Sequence, residues 1–120
     1  MKTGFLILLF ILLLSGLVGC SGSGEPTSVD LQAEVGTDGT YLVINNKDAF
    51  VWNEPKITIN GSFVLKTDFL ATGKSSVQLT EFAKSSGERF DPQKYKLTTV
   101  TIYVPDVGGG KDGFYTGKFQ

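Results

Sequence analysis

Histidine is absent from this 120-residue chain, and cysteine and tryptophan occur once each. Without histidine the chain lacks the usual general base, the usual zinc ligand and any Ser-His-Asp triad, so nucleophilic hydrolysis is not expected. A single cysteine permits no disulfide within the chain and no cysteine-based metal site. The fold must therefore depend on packing for its stability, and we expect neither a metal nor a cofactor.

An excess of charge of either sign is missing too, since 11 basic residues face 12 acidic ones. A nucleic-acid-binding domain normally presents a basic face. The sequence shows none, so nucleic acid is not an expected partner.

Glycoside hydrolysis needs only two carboxylates, and Glu81, Glu88 and Asp91 lie close together in the chain. Charges on such a turn-rich segment are usually solvated surface, and we expect that the chain is not an enzyme.

Long hydrophobic runs are missing after residue 19, whereas the run FLILLFILLL occupies residues 5–14. Even if it is extended to Gly19, this run stays short of the roughly 20 apolar residues that span a hydrocarbon core. It follows Lys2, as the apolar region of a signal peptide follows a basic residue. We therefore predict a helical signal peptide at residues 1–19.

The only cysteine follows this run directly, in the tetrapeptide Leu17-Val18-Gly19-Cys20. The tetrapeptide resembles the lipobox of bacterial lipoproteins: leucine, a small or aliphatic residue, glycine or alanine, and then cysteine. The resemblance implies cleavage before Cys20, a thioether-linked diacylglycerol on its sulfur and often an amide-linked acyl chain such as palmitate. It also implies a lipid-anchored, extracytoplasmic location on the cell membrane or outer membrane. The alternative is a plain secretory signal with a chance cysteine.

Residues 20–28 comprise Cys20 and the stretch SGSGEPTS, whose small, polar, glycine-rich composition is that of a flexible linker. Eight residues of such coil reach about 15 Å on average. We therefore expect the remaining domain, residues 29–120, to stay close to the membrane. A domain of this length can fold without covalent cross-links.

The domain alternates short apolar-polar segments with turn residues, which is the pattern of an all-β protein. Two dipeptides, Asp38-Gly39 and Asn60-Gly61, are strong hairpin signals, and residues 80–84 are compatible with one helical turn. We predict strands at residues 29–35, 41–46, 56–60, 63–67, 76–79, 96–104 and 114–119. About seven short antiparallel strands favour a two-sheet, immunoglobulin-like sandwich. A small barrel is the alternative.

A second, weaker resemblance concerns the domain itself. Small immunoglobulin-like extracytoplasmic domains of uncharacterised bacterial lipoproteins are similar to this chain in residues 42–52, 57–60, Leu79, Phe82, Gly87, Phe90 and Ile102. No activity follows from this similarity, and no catalytic or binding residue carries over from it.

Phe50 and Trp52 are the candidate ligand platform. They lie two residues apart just before Pro55, so on an extended edge segment they would share one solvent-facing side. Carbohydrate-binding modules stack sugars on such aromatic surfaces. In the alternative, which we favour, Trp52 fills the core of the sandwich.

Two features of the last hairpin have structural interpretations. Residues 106–112 offer two carboxylates, but calcium takes six to eight oxygen ligands, and the three glycines there are typical of a mobile hairpin loop. Tyr103 and Tyr115 are expected to pair across this hairpin on its polar face.

Taken together, these features predict a lipid-anchored, non-catalytic module that binds an envelope protein or glycan, with a carbohydrate-binding surface domain as the alternative.

Overall fold

The computed structural model describes residues 28–119, and this part of the chain is all-β. Its strands are β1 (Ser28–Asp30), β2 (Ala33–Thr37), β3 (Tyr41–Asn46), β4 (Trp52–Asn53), β5 (Lys56–Ile59), β6 (Phe63–Lys66), β7 (Phe69–Leu70), β8 (Gly73–Gln78), β9 (Thr99–Gly108) and β10 (Lys111–Lys118). One 3₁₀ turn, Leu79–Glu81, follows β8. The predicted all-β class is confirmed. The predicted signal helix and Cys20 lie outside the described residues.

The strands form two larger sheets and one small one. The five-stranded sheet has the order β1-β10-β9-β5-β6, and the three-stranded sheet has the order β2-β3-β8. Strands β4 and β7 pair only with each other in a two-stranded sheet. Only the β1–β10 pairing is parallel among these ladders. This multi-sheet arrangement is compatible with the predicted β-sandwich.

One hydrophobic cluster joins the sheets. In β3 the buried residues alternate with half-buried ones, and in β9 Val100, Ile102 and Val104 do the same, because successive strand residues point to opposite faces. The buried apolar residues are Leu31, Leu42, Ile44, Trp52, Ile57, Ile59, Phe63, Leu70, Leu79, Phe82, Phe90, Val100, Ile102 and Val104. The core therefore draws on both larger sheets and on β4 and β7.

The predicted strand at residues 29–35 is wrong as a single element. It is divided into β1, which pairs with β10, and β2, which pairs with β3 in the other sheet. The chain crosses between sheets at Leu31, whose N–H still donates to the carbonyl of Phe114 (2.9 Å) and whose side chain is buried. Alternation of apolar residues continues through the crossing, so the pattern cannot show that the pairing partner changes.

The hairpin predicted at Asn60-Gly61 is confirmed. Ile59 lies opposite Phe63, and both Asn60 (φ 52°) and Gly61 (φ 76°) have the left-handed conformation that a type I′ turn requires. The Asn60 side chain also accepts the N–H of Thr98 (2.7 Å) and donates to the carbonyl of Lys96 (2.8 Å). Asn60 therefore stabilises both its own turn and the segment that leads into β9.

Substitution of Asn60 should separate these two contributions. Asn60→Ala should lower the free energy of unfolding by about 2–4 kcal/mol, since alanine disfavours a left-handed φ and loses hydrogen bonds worth about 1 kcal/mol each. Asn60→Gly keeps the conformation and should cost about 1–2 kcal/mol. Urea denaturation measures both values, and Ser62→Ala in the same turn should stay within about 0.5 kcal/mol of the parent. Equal costs for Asn60→Ala and Asn60→Gly would contradict the conformational contribution.

Candidate functional site

The predicted platform of Phe50 and Trp52 is not formed. Trp52 is 0% exposed and belongs to the core, whereas Phe50 is 40% exposed. The chain bends at residues 48–50, so the alternation of an extended strand does not apply between the two rings. The favoured alternative, a tryptophan that fills the core, is confirmed, and a sugar ring cannot stack on a surface that includes Trp52.

Hydrogen bonds around the buried Asn46 hold Trp52 in place. The indole N–H of Trp52 donates to Asp48 Oδ2 (3.0 Å), and the N–H of Asp48 donates to Asn46 Oδ1 (2.9 Å). Asn46 Nδ2 donates to the carbonyls of Phe50 (3.1 Å) and Leu70 (3.2 Å). Asn46 is the last residue of β3, as predicted, and although polar it is only 2% exposed. Its side chain connects β3 to the segments that carry β4 and β7.

The predicted pairing of Tyr103 with Tyr115 is wrong. Tyr103 lies opposite Phe114, with ring centroids 5.0 Å apart, whereas Tyr115 lies opposite Ile102 and packs against the core. The two tyrosines therefore point to opposite faces of the five-stranded sheet. The error comes from register, because a shift of one residue moves a side chain to the other face of a sheet.

On the outer face of the five-stranded sheet, four side chains form one line across four adjacent strands. The pairings are Lys66 with Lys56, Lys56 with Tyr103, and Tyr103 with Phe114. We call these four residues the cross-strand row. Directly opposite residues have Cβ atoms about 4.5–5.5 Å apart, and like charges at that spacing are destabilising. Among residues 28–119, no ion pair joins Lys56 or Lys66 to a carboxylate.

Sequence reasoning missed this pair of lysines. A two-residue Asn60-Gly61 loop predicts Ile59 opposite Ser62, which would leave Lys56 and Lys66 out of register by one residue. In the structure the loop includes Ser62, so Lys56 lies opposite Lys66. The contact with Tyr103 has no local signal either, because β5 and β9 are distant in the chain and only tertiary structure aligns them.

A cleft of about 430 Å³ opens beside the cross-strand row, lined by Glu54, Lys56, Lys66, Thr67, Asp68, Tyr103 and Pro105. Glu54 has a left-handed φ of 52°, which costs a residue with a Cβ roughly 1 kcal/mol. Its N–H donates to the carbonyl of Asp68 (2.8 Å). The cleft therefore combines two amines, two carboxylates and one aromatic ring, a set that can bind hydroxyl and anionic groups together.

Asp112 fixes the phenol of Tyr103 at the edge of this cleft. Asp112 Oδ2 accepts the Tyr103 hydroxyl (3.0 Å), and Asp112 Oδ1 accepts the N–H of Asp106 (3.0 Å). The hydrogen bond to Asp112, helped by burial and by the charge of Asp112, raises the pKa of Tyr103. Of the two carboxylates in residues 106–112, that of Asp112 is thus used to bind the protein itself.

The acidic cluster at residues 81–91 also has a structural role in this arrangement. The pKa of Glu88 is lowered, mainly by a hydrogen bond that the Tyr95 hydroxyl donates to its carboxylate. Burial acts in the opposite direction, and the ammonium groups of Lys84 and Lys94 lower the pKa further. A general acid in glycoside hydrolysis needs a raised pKa, which is the opposite direction. Asp91 Oδ1 accepts the N–H of Gln93 (2.9 Å) and shapes a turn.

Removing the charge of Asp112 should lower the pKa of Tyr103. In Asp112→Asn the anion that favours the neutral phenol is gone, so Tyr103 should ionise at lower pH than in the parent protein. Titration followed by NMR of labelled tyrosine rings measures this shift. Asp106→Asn is the matched control, since only the backbone N–H of Asp106 contacts Asp112. An unchanged Tyr103 titration in Asp112→Asn would contradict the assigned cause.

Within residues 28–119, no group of three or more potential metal-ligating side chains converges. No helix in this described part is long and apolar enough to cross a membrane. Comparison with protein-family models, curated proteins and solved structures finds no match. The geometry of the cross-strand row and its cleft therefore carries the functional argument for the domain.

Proposed function

We propose that this protein is a bacterial lipoprotein anchored to the extracytoplasmic side of the cell membrane or outer membrane by lipid on Cys20. The observation that carries the proposal is the tetrapeptide Leu17-Val18-Gly19-Cys20 directly after an apolar run too short to span a bilayer. Residues 1–19 are the signal peptide, and the linker at residues 20–28 joins the lipid to the domain, with its last residue, Ser28, already the first residue of β1. Several acyl chains anchor a protein far more durably than one, since each buried CH₂ contributes about 0.8 kcal/mol.

We infer further that the domain is an immunoglobulin-like sandwich. Strand order supports this inference: β2-β3-β8 corresponds to strands A-B-E of that fold, and β10-β9-β5-β6 corresponds to strands G-F-C-C′. The buried Trp52 stands shortly before β5, where the fold has its core tryptophan on strand C. The inter-sheet disulfide of antibody domains has no counterpart here, since Cys20 is the only cysteine.

The domain acts as a non-catalytic interaction module in the cell envelope. Support comes from the cross-strand row, because Lys56 and Lys66 stand side by side at an energetic cost that a bound anionic group would relieve. A partner that presents an acidic group next to an apolar or ring surface would match the lysines and the aromatic pair together.

An acidic glycan is the second candidate partner. Tyr103 and Phe114 form an aromatic pair on the outer face, with Phe114 41% exposed, and the neighbouring cleft carries amines and carboxylates. Rings of this kind offer apolar surface to sugars, and the charged groups can bind hydroxyls. The aromatic surface thus lies at Tyr103 and Phe114 and not at Phe50 and the buried Trp52.

Lipid attachment is directly testable. Mass spectrometry of the mature protein should find Cys20 as the acylated N-terminus, and Cys20→Ser should release the domain from the membrane fraction, because the thioether bond cannot form. Ser21→Ala is the matched control and should remain membrane-bound. An unmodified N-terminus on a soluble parent protein would reject the lipoprotein proposal.

Partner binding should depend on the lysine pair. Solubilised envelope and an array of acidic and neutral glycans are probed with the parent protein and with Lys56→Ala/Lys66→Ala. Loss of two charged contacts should weaken binding of the specific partner by about tenfold or more. Lys118→Ala, which removes an exposed lysine from the far end of β10, should bind as the parent does. Equal binding by the parent and the double variant would exclude the cross-strand row as the interaction surface.

A further inference from the structure

The point where the chain enters the domain defines one end of the molecule. Ser28 begins β1 opposite Asp112, next to the turn between β9 and β10. Strand β5 pairs antiparallel with β9, so that its last residue lies opposite Val100 and its first residue, Lys56, lies opposite Tyr103, nearer to the entry of the chain. Strand β4 comes just before Lys56 and pairs with β7, so both strands lie at this same end. We call this the entry end. The Asn60-Gly61 turn lies at the opposite, far end.

Three exposed hydrophobic side chains cluster at the entry end. Phe69 is 57% exposed, Val51 43% and Phe50 40%. Phe69 pairs with Asn53, two residues after Val51, and the Asn46 amide links the carbonyls of Phe50 and Leu70. The fourth large exposed hydrophobic residue of the described chain, Phe114, lies on the outer face. Within residues 28–119, no such residue lies at the far end. Adjoining exposed apolar side chains mark contact surfaces for membranes or proteins.

The length of the tether favours the membrane as the occupant. Ser28 lies eight residues after Cys20, and a flexible chain of that length reaches about 15 Å on average. Ser28 pairs with Asp112, which is level with residues 104–108 of β9. The far-end turn is hydrogen-bonded to Thr99, which lies roughly 17–30 Å from that level along the strand. On average, the bilayer that holds the lipid therefore lies closer to the entry end than to the far end.

We infer that Phe50, Val51 and Phe69 contact the bilayer surface and enter the boundary between headgroups and acyl chains. This inference rests on the proposed lipid attachment of Cys20. Aromatic and aliphatic side chains are the ones that bind in this boundary, because they remove apolar surface from water there. Attachment then acts at two points, the lipid and the apolar cluster, which restricts the domain to one orientation.

Charges near the cluster have both signs, so the contact is apolar rather than electrostatic. Lys56 and Lys66 are accompanied by Glu54 and Asp68 in the adjoining cleft, and Asp48 lies in the segment before Phe50. Lysine side chains can extend their amines to the headgroups while the apolar cluster inserts. The contact should therefore persist at high salt, unlike the binding of a polybasic patch.

Fluorescent labelling of the lipid-modified protein in vesicles of phosphatidylethanolamine and phosphatidylglycerol tests the inference. A label at Phe69→Cys should lose most of its emission to lipids with nitroxide near the headgroup and should be protected from iodide in water. The matched label at Ser62→Cys, in the far-end turn, should keep its emission and remain open to iodide. Equal behaviour at both positions, in protein whose mass shows an acylated Cys20, would overturn the inference and leave the anchor intact.

Two further results complete the test. If the measured mass shows that Cys20 carries no acyl chain, the proposed anchor is overturned, and so is the membrane contact that depends on it. Protection of position 69 in native membranes but not in the lipid vesicles would assign the surface to a protein and overturn the inference. Hydrogen exchange of the unsubstituted chain avoids any effect of substitution: amides of residues 51–53 and 68–70 should exchange more slowly in vesicles than in detergent, with residues 60–63 unchanged.

Discussion

The burial of Trp52 is the constraint on which the rest of the structure depends. A tryptophan in the core contributes a large apolar surface but needs an acceptor for its indole N–H, and Asp48 supplies one at 3.0 Å. This requirement bends the segment between β3 and β4, and Asn46 completes the bend by binding the carbonyls of Phe50 and Leu70. Because of this bend, Phe50 does not follow Trp52 into the core and is left exposed. The internal packing and the surface of the entry end thus have one cause.

Register in the five-stranded sheet has a comparable effect on the outer face. The same pairings that bury Ile57 and Ile102 together on the inner side align Lys56 with Tyr103 on the outer side. The cross-strand row is therefore a consequence of core packing, and moving it would require a shift that exposes the core. Such a row has a fixed geometry, which suits recognition of a partner better than residues on a loop would.

Local sequence was sufficient where an element depends on its own residues. The aliphatic segment YLVINN predicted β3 correctly, and Asn60-Gly61 predicted its hairpin, since both central residues must adopt a left-handed φ. It failed where the outcome depends on a distant partner. The division of residues 29–35 into β1 and β2, and the pairing of Tyr103 with Phe114, both follow from contacts with strands far away in the chain. The lysine pair also escaped local analysis, because the loop includes Ser62 and the register differs by one residue from the one that a two-residue Asn60-Gly61 loop predicts.

By itself, the sequence determined the all-β class, the absence of a disulfide and of histidine chemistry, and the single cysteine in a lipobox-like tetrapeptide. These properties follow from composition, local periodicity and turn chemistry. Tertiary structure alone decided that Trp52 is buried, that Lys56, Lys66 and Tyr103 share one face, and that the chain enters the domain at the same end as β4 and β7. The physical reason is that side-chain exposure and cross-strand neighbours are set by packing between segments distant in sequence, which no local pattern encodes.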